Sequence, residues 1–333
     1  MSVPTTRWGV LATGGIAATV SRDLALVEGA ELTAVASRDL GRAQAFASEH
    51  GFATAYGSYE ELLADPHVDV VYVATPHAQH HLVTSAALAA GKPALVEKAF
   101  TCSLAAADDL VRQARETGLF VMEAMWTRFQ PGIVRLRELL ADGVIGEIRS
   151  VTADLGFVQP FDPNHRLFDP AQGGGSLLDL GVYPVSFAQM LLGAPSRLQA
   201  TATINELGTD SEAALLLDHP SGAFAQLSSS LLGDTPGRAT IVGTQGRVTV
   251  EPRFHHPHRI VVERSGEEAQ VLDNPLTGRG YAHQMEHVAA CLRDGLTESP
   301  VMPLEDTLTV MAVLDEALEA IGAPHVDEGF ARP

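Results

Sequence analysis

The first half of the chain alternates short β-branched runs with amphipathic helical stretches, and this alternation constrains the fold more than any other feature. The runs typical of strands are Trp8–Leu11, Leu32–Ala36, Val68–Ala74, Ala94–Glu97 and Phe120–Glu123. The helical stretches between them are Gly15–Val27, Gly41–Glu49, Gln79–Ala90 and Leu104–Thr117. Because strands joined by helices pair in parallel through right-handed crossovers, the pattern predicts an α/β fold with a doubly wound, mostly parallel sheet.

The pattern changes after about Met125. Helices are predicted near Ile133–Leu140 and Leu177–Leu192, and near the end of the chain at Tyr281–Arg293 and Leu304–Ile321. Strands separated by Gly, Pro and Asp turns are predicted at Glu147–Phe157, Leu198–Glu206, Glu212–Leu217, Ala223–Leu232, Arg238–Val242, Arg247–Val250, Arg259–Glu263 and Ala269–Leu272. Since no long helices connect these strands, we expect a large, mainly antiparallel sheet. The 333 residues therefore divide into residues 1–124, with the parallel sheet, and residues 125–333, an α+β domain with an open sheet face.

Charge and composition exclude several classes of protein. The formal net charge of −19 argues against a nucleic-acid partner and against an anionic membrane surface. No apolar run approaches the roughly 20 residues that span a bilayer, and the N-terminus does not resemble a signal peptide, so we expect a cytoplasmic protein. Cys102 and Cys291 are too few for a disulfide framework or a metal cluster, and we expect both to be buried and apolar. Lys92 and Lys98 are the only lysines, which suggests roles that arginine does not fill.

The first predicted strand runs into a glycine turn and a helix start. The segment follows the nucleotide-binding pattern G-x-G-x-x-G/A, with Ala12 in place of the first glycine, Gly14 at the second position and Ala17 at the third. A glycine there lets the backbone approach a pyrophosphate, and the helix N-terminus supplies N–H donors. We therefore assign the turn to a dinucleotide through Ala12, Thr13, Gly14, Gly15 and Ile16. The alternative is an ordinary glycine turn.

The second predicted strand ends in Ser37 and Arg38. NAD-binding sites usually place an acidic residue here, whereas a hydroxyl and a guanidinium suit the 2′-phosphate of NADP. We therefore expect NADP rather than NAD, although Arg38 is also compatible with a solvated surface charge. Further cofactor contacts are expected from the residues that follow the third predicted strand, namely Thr75, Pro76, His77 and His80.

Glu97 and Lys98 close the next predicted strand at the same edge, so we expect both to contact the cofactor as well. Oxidation of a carbinol needs a group that takes the hydroxyl proton, and a nearby cation lowers the pKa of that group. Asp179 and Tyr183 follow a glycine-rich stretch and lie four residues apart, so they share one helix face. We assign Tyr183 as the general acid/base, Lys98 as the cation and Asp179 as the orienting group. Taken alone, Tyr183 is compatible with a half-buried aromatic residue and Asp179 with a solvated one.

The ordered set of motifs resembles the Gfo/Idh/MocA oxidoreductase family, closest to its branch of dimeric dihydrodiol and NADP-dependent D-xylose dehydrogenases. The set comprises the glycine turn, Ala-Thr-Pro-His at 74–77, Glu-Lys at 97–98, Met-Glu-Ala-Met-Trp-Thr-Arg-Phe at 122–129, and the stretch from Gly173 to Tyr183. The resemblance implies that Lys98, Asp179 and Tyr183 form the catalytic group. It also implies that Trp126 and Arg128 line the cleft, both toward the cofactor and Trp126 toward the substrate as well.

The same resemblance implies a homodimer formed through the open face of the C-terminal sheet. It implies as substrate a small sugar, polyol or trans-dihydrodiol, with Tyr183 favouring the dihydrodiol and xylose branch. Two positions depart from the family. Ala99 replaces the proline of Glu-Lys-Pro, which leaves the geometry after Lys98 open, and Ala12 replaces a glycine.

Asp154, Phe157 and Arg166 flank the glycine-rich approach to Asp179, so we expect them to border the substrate cleft, with Phe157 and Arg166 in contact with substrate. We expect no metal. Two other functions remain open. A non-catalytic NADP-binding regulator would share the fold, and a zinc peptidase would use the H-x-x-E-H pattern formed by His283, Glu286 and His287, although no third ligand is evident.

Overall fold

The computed structural model describes residues 4–323 and 325–330. The described chain divides into two units: residues 4–126, 277–307 and 327–330 form the first, and residues 127–276, 308–323 and 325–326 form the second. The chain passes from the first unit to the second after Trp126. Residues 277–307 belong to the first unit, whereas the sequence pattern assigned them to the second.

Six parallel strands form the sheet of the first unit. They are β1 (Thr6–Leu11), β2 (Ala30–Ala36), β3 (Thr54–Tyr56), β4 (Val70–Val73), β5 (Ala94–Val96) and β6 (Val121–Glu123). Their order is β3-β2-β1-β4-β5-β6, so the strand order reverses between β1 and β4. The predicted doubly wound parallel sheet is therefore confirmed.

The helices of this unit are α1 (Gly15–Leu24), α2 (Leu40–His50), α3 (Tyr59–Leu63), α4 (His80–Ala89), α5 (Leu104–Thr117) and α8 (Ala282–Arg293). All four residues of β4 are buried, as expected for a strand covered on both faces. The sequence pattern did not predict β3 or α3. Both are short, and all three residues of β3 are only partly buried, so its sequence has no strong apolar signal.

A buried carboxylate explains why residues 277–307 join the first unit. Asp23 on α1 is 3% exposed and accepts hydrogen bonds from the backbone N–H groups of Arg279 and Tyr281, at 2.9 and 2.8 Å. At the far end of α8, Val121 on β6 donates to the carbonyl of Thr297 at 3.3 Å. These contacts join positions far apart in sequence, so periodicity does not reveal them.

Lys92 has a structural role. Its ammonium group is buried and donates to the carbonyl oxygens of Asp65 and Val68, at 2.7 and 2.8 Å. The donors of a compact ammonium rotate about one atom, whereas those of a guanidinium are fixed in a wider planar fork. This geometry accounts for one of the two lysines in the chain.

The second unit is built on eight strands. They are β7 (Ile148–Gly156), β8 (Arg197–Ile204), β9 (Asp210–Asp218), β10 (Phe224–Ser230), β11 (Ala239–Gly243), β12 (Gly246–Val250), β13 (Arg259–Arg264) and β14 (Gln270–Asp273). The order is β14-β13-β12-β11-β7-β10-β9-β8. All neighbours are antiparallel except β7 and β10, which confirms a mainly antiparallel sheet.

Helices α6 (Pro131–Ala141) and α7 (Val182–Leu192) belong to this unit, and α9 (Leu304–Ala320) lies in it from Leu308 onward. Residues 170–192 have the length and mean hydropathy of a membrane-spanning helix, and 83% of the apolar window is buried inside the protein. The sequence pattern had indicated no apolar stretch of this kind. Burial in a protein core accounts for this composition, because a helix that is apolar all round is a typical core helix.

Cys102 and Cys291 are both buried and free. Burial raises the pKa of each thiol, which keeps the thiols protonated. The prediction that both are buried is confirmed.

Candidate active site

The predicted nucleotide residues of the first unit lie at one edge of its sheet. The strands β2, β1, β4 and β5 are neighbours, and backbone hydrogen bonds continue the pairing just past their ends. Ala12 donates to Ala36 at 3.1 Å, Ala74 to Leu11 at 3.0 Å, and Glu97 to Val73 at 3.0 Å. The carboxyl ends of parallel strands at such a reversal of strand order form the usual ligand crevice of these sheets.

The glycine turn leaves room for a pyrophosphate. A Cβ built on Gly14 or Gly15 would meet no atom within 4 Å. Gly14 is the N-cap residue of α1, and no side chain caps the helix there. The first N–H groups of a helix have no partner inside the helix, so an anion can accept from them. Ala12 occupies the position of the missing glycine at φ 109°, a backbone conformation that glycine adopts far more readily.

The segment after β4 also fits a nucleotide. Thr75 is 6% exposed, and its Oγ1 is buried without a hydrogen-bond partner among the described residues, so a ligand can supply one. Pro76 precedes a short 3₁₀ helix that contains His77. The Nε2 atom of His77 lies 3.1 Å from the carbonyl oxygen of Lys98, which links this segment to the end of β5.

His80 is fully buried between two backbone carbonyls. Its Nδ1 lies 2.8 Å from the carbonyl oxygen of Ala99, and its Nε2 lies 2.9 Å from that of Thr75. Burial lowers the pKa of His80 to about 4 despite these carbonyls, which favour the charged ring. The ring is therefore neutral at pH 7 with a single N–H. Its position indicates that it holds the two loops together.

Two arginines follow β2: Arg38 lies just after the strand, and Arg42 lies in the first turn of α2. Ser37 is buried and Arg38 is exposed. Burial raises the pKa of Tyr59, while the charges of Arg38 and Arg42 act to lower it, so both guanidinium groups act on this phenol. Asp39 caps α2 by accepting from the backbone of Arg42 at 2.8 Å, which fixes Arg42 in its first turn. The sequence motif identified Arg38 and missed Arg42.

Glu97 organises the turn that holds Lys98. Glu97 Oε1 accepts from the Tyr72 hydroxyl at 2.5 Å, and Oε2 accepts from the Lys98 backbone at 3.2 Å. Lys98 itself is only partly buried. The peptide bond between Lys98 and Ala99 is cis. The contacts of Glu97 place it as a support of Lys98 within this unit.

Trp126 ends the first unit and is 4% exposed. Its ring stacks on Tyr281 with centroids 4.0 Å apart and an interplanar angle of 11°. The backbone hydrogen bond from Tyr281 to Asp23 fixes this stack, and no sequence motif had identified Tyr281. Arg128 lies in the second unit, where it is buried and donates to Gln189 Oε1 at 2.5 Å. A contact of Arg128 with cofactor stays a prediction.

In the second unit the structure brings Asp179 and Arg166 together. Arg166 donates to Asp179 Oδ1 at 3.0 Å, with the arginine side chain half-exposed and the carboxylate mostly buried. Gly174 permits this approach, because a Cβ there would lie 2.8 Å from the carbonyl oxygen of Arg166. The exposed side of the pair is suited to bind a polar small molecule.

Asp179 lies in a π-helical turn, Leu177–Gly181, that leads directly into α7. Such turns often occur at functional sites. The sequence pattern predicted an α-helix here. Tyr183 is 6% exposed, and its ring centroid lies 4.9 Å from that of His255. Phe157 follows β7 and is 38% exposed, so its ring is available for contact.

Asp154 and His287 make contacts that stabilise the fold. Asp154 accepts from the backbone of Gly237 at 2.6 Å, which indicates that it holds a turn.

His287 Nε2 lies 2.7 Å from Ser299 Oγ and 3.3 Å from Cys291 Sγ, so its ring is engaged by neighbouring side chains. Among the described residues, no three His, Cys, Asp or Glu side chains are arranged to hold a metal ion. The zinc-peptidase hypothesis thus has no support from this geometry.

Comparison with known proteins covers nearly the whole chain. Residues 6–125 match the model of an oxidoreductase family with an NAD-binding Rossmann fold, and residues 133–249 match the GFO/IDH/MocA C-terminal domain. The trans-1,2-dihydrobenzene-1,2-diol dehydrogenase of Mus musculus is 39% identical over 328 residues, covering 95% of this chain and 97% of the relative. The Homo sapiens enzyme of the same name is 37% identical over 325 residues, with the same coverage.

A solved structure is also similar to this chain over nearly its whole length. A 3-ketoreductase from Actinomadura kijaniata, crystallised with NADP and TDP-benzene, is 29% identical with a TM-score of 0.85, covering 95% of this chain and 98% of its own.

From the positive φ of Ala12 we predict how a glycine at this position changes the free energy of unfolding. Residues held in such conformations cost about 1–3 kcal/mol, and the extra freedom of glycine in the unfolded chain offsets about 0.4–1 kcal/mol of the relief. Ala12→Gly should therefore raise the free energy of unfolding by about 1 kcal/mol, or the melting temperature by about 2–4 °C.

The control is Ala17→Gly. Ala17 belongs to the same motif but lies inside α1, so glycine there should lower stability by about 1 kcal/mol. Thermal unfolding without nucleotide measures both variants. If Ala12→Gly destabilised the protein as Ala17→Gly does, the proposed strain at Ala12 would be refuted.

Proposed function

Because the chain belongs to the Gfo/Idh/MocA oxidoreductase family, we propose that it is an NADP-dependent enzyme that oxidises or reduces a carbinol of a sugar, polyol or trans-dihydrodiol. One observation supports this most strongly. The open glycine turn, the buried Thr75 hydroxyl and Lys98 lie at the ends of three adjacent parallel strands, β1, β4 and β5. The N-terminus of α1 would hold the phosphates of a dinucleotide, and Lys98 would supply a cation at the same edge.

The cofactor preference rests on the end of β2. Arg38 and Arg42 both act on Tyr59, so two guanidinium groups are available to a phosphate on the adenosine ribose. Guanidinium groups bind phosphate with charge-assisted, often paired hydrogen bonds. This cluster supports NADP over NAD. In a chain of net charge −19, a local pair of arginines favours an anionic group at this position.

Each proposed catalytic residue has one role. A nicotinamide cofactor held at this edge would supply the hydride acceptor for oxidation of the carbinol and the hydride donor for the reverse reaction. The Tyr183 hydroxyl takes the carbinol proton during oxidation and returns it during reduction. A cation stabilises the charged form of a phenol, and this is the role proposed for Lys98. Asp179, held by Arg166, orients the substrate hydroxyl. Trp126, Phe157 and Arg166 are proposed to contact substrate.

The relatives support the substrate class. The curated relatives are dehydrogenases of a trans-dihydrodiol, and the solved relative is a 3-ketoreductase with a TDP-linked ligand. The trans-dihydrodiol in the name of the curated relatives is a ring with two adjacent hydroxyl-bearing carbons. We therefore propose a cyclic vicinal diol or a sugar as substrate. A cytoplasmic location also stays a prediction.

We also propose that the protein is a homodimer formed through the open face of the second unit's sheet. Cross-strand register places neutral and mostly small side chains together on this face: Thr152, Gln199, Thr201, Ala214, Leu216, Gln226 and Ser228. The same register also places Asp154, Glu212, Asp218 and Arg197 on this face, next to the neutral residues. Exposed patches that are less polar than their rim are typical of association sites.

A test of the dimer is to place a charge at the centre of the face. The chain has a mass of 35.2 kDa, so light scattering should give twice that mass for the wild type. Leu216→Arg should give the mass of one chain, because a buried unpaired charge costs several kcal/mol. Leu82→Arg is the control, since Leu82 is an exposed leucine of the first unit. A wild-type monomer, or a Leu216→Arg dimer, would contradict the proposal.

Arg38→Asp tests the cofactor. The carboxylate repels a 2′-phosphate and accepts from a free 2′-hydroxyl, so the ratio of kcat/KM with NADP to that with NAD should fall about a hundredfold or more. Arg22→Asp is the control, because Arg22 is an exposed arginine at the last turn of α1. An unchanged ratio in Arg38→Asp would show that Arg38 does not select the cofactor.

Lys98→Met and Tyr183→Phe test the chemistry. Each should lower kcat about a hundredfold or more, while NADP binding, measured by titration of protein fluorescence, stays within about threefold of wild type. Tyr56→Phe controls for loss of a phenol, since Tyr56 donates to Asp65 at 3.0 Å. Turnover is followed at 340 nm with trans-dihydrodiols and aldoses. Full turnover in both variants would refute the roles. A wild type that binds NADP without turning over any substrate would favour the regulator.

A further inference from the structure

The π-helical turn that contains Asp179 begins without a local cap. Ser176 precedes the turn and makes no capping hydrogen bond to the helix backbone. The first N–H groups of a helical segment need acceptors when they are buried. Ser176 and Leu177 are both buried, so another element of the fold must supply the hydrogen-bond acceptor for their donors.

A carboxylate from another element supplies the acceptor. Asp210 Oδ2 accepts from the backbone N–H of Leu177 and from the hydroxyl of Ser176, both at 2.7 Å. The Ser176 hydroxyl also lies 2.9 Å from the hydroxyl of Ser229. Asp210 is the first residue of β9, and Ser229 lies on the neighbouring strand β10. Together they fix the start of the turn on the sheet.

The sequence around the turn permits this contact. Gly175 has φ +112°, and a Cβ at this position would collide with Asp210 Oδ1. Only glycine therefore allows the carboxylate to reach the helix start. Gly181 is similarly close to the strand beneath it, since a Cβ there would lie 3.2 Å from Ser229 Oγ. The turn is seated on the sheet at both of its ends.

Hydrogen-bond donors stabilise the negative charge on Asp210. Asp210 has no exposed surface, and burial raises the pKa of its carboxyl to about 6. His325 faces the same glycine, with its Nε2 3.4 Å from the Gly175 Cβ position, and burial lowers the pKa of its ring to about 4. At pH 7 Asp210 is therefore ionised and His325 neutral. The bonds from Ser176 and Leu177 offset the desolvation of the carboxylate.

We propose that Asp210 is a positioning residue that sets the orientation of Asp179 and Tyr183 by anchoring the first turn of the helical segment that contains both. The inference rests on the proposed function for its effect on turnover, but not for its structural part. Asp179 lies two residues after Leu177, and Tyr183 is the second residue of α7, the helix that follows. A shift of the anchored turn therefore moves both functional groups, and a displacement of about 1 Å can cost a hundredfold in rate.

The test compares Asp210→Ala, Asp210→Asn and a control at the other end of the same strand. Asn keeps an oxygen that accepts from Leu177 and Ser176, whereas Ala keeps none. Asp218→Asn is the control, because Asp218 is partly exposed and pairs with Arg197 at 2.9 Å. Two measurements are made on each folded full-length variant: hydrogen–deuterium exchange of the amides at residues 177–183, and kcat and KM with NADP and substrate.

We expect Asp210→Ala to raise exchange of residues 177–183 about tenfold or more, and to leave exchange of the parallel sheet unchanged. The kcat should fall about tenfold to a hundredfold with the KM for NADP within about twofold of wild type. Asp210→Asn should restore most of the wild-type protection from exchange and most of the wild-type kcat. Asp218→Asn should resemble wild type in both measurements.

The proposal would be overturned if hydrogen exchange at residues 177–183 were unchanged in Asp210→Ala. It would also be overturned if Asp210→Asn showed the same exchange and the same kcat as Asp210→Ala. Increased exchange without a fall in kcat would overturn it as well. If Asp210→Ala does not fold, Ser176→Ala replaces it, since it removes one bond to the same carboxylate. Exchange of Leu177 through Asp179 should then rise about threefold, and no rise would refute the anchor. Wild-type inactivity with every substrate would instead contradict the proposed function, since the exchange result does not depend on turnover.

Discussion

The parallel pairing of β1 with both β2 and β4 is the constraint on which the nucleotide site depends. Because β1 lies between these two strands, the strand order reverses beside it and the chain segments after β1 and β4 leave the sheet at the same edge. The glycine turn, Thr75 and Lys98 are thereby grouped by backbone hydrogen bonds, before any side-chain contact is considered. The fixed N-terminus of α1 then makes this edge suitable for phosphate groups.

The second unit positions its functional groups in a different way. Asp179 and Tyr183 lie on one short helical stretch, and that stretch is seated on an antiparallel sheet through Asp210 and close glycine contacts. Arg166 donates to Asp179, and Gly174 lets the backbone of the segment from Arg166 to Asp169 pack closely beside it. The stretch is apolar all round and buried, so packing fixes its rotation while hydrogen bonds fix its start. A site built on such a segment is held more rigidly than one on a surface loop.

The sequence alone predicted what depends on local pattern. Strand and helix alternation indicated the parallel sheet, turn residues indicated the antiparallel one, and the glycine turn indicated the nucleotide edge. It missed what depends on contacts between distant residues. Asp23 brings residues 277–307 into the first unit, β7 pairs in parallel with β10, Arg42 joins Arg38 through the fold of α2, and Asp210 reaches Leu177 from 33 positions away. None of these contacts leaves a periodic signal.

Hydride transfer from substrate to nucleotide is tested most directly by following deuterium from the substrate carbon. The purified protein is incubated with NADP and either trans-1,2-dihydrobenzene-1,2-diol deuterated at its carbinol carbons or D-xylose deuterated at its anomeric carbon. The nucleotide is then examined by mass spectrometry. We expect reduced nucleotide that has gained one deuterium from at least one of the two substrates. Reduced nucleotide without deuterium, or nucleotide left oxidised by both substrates, would contradict hydride transfer.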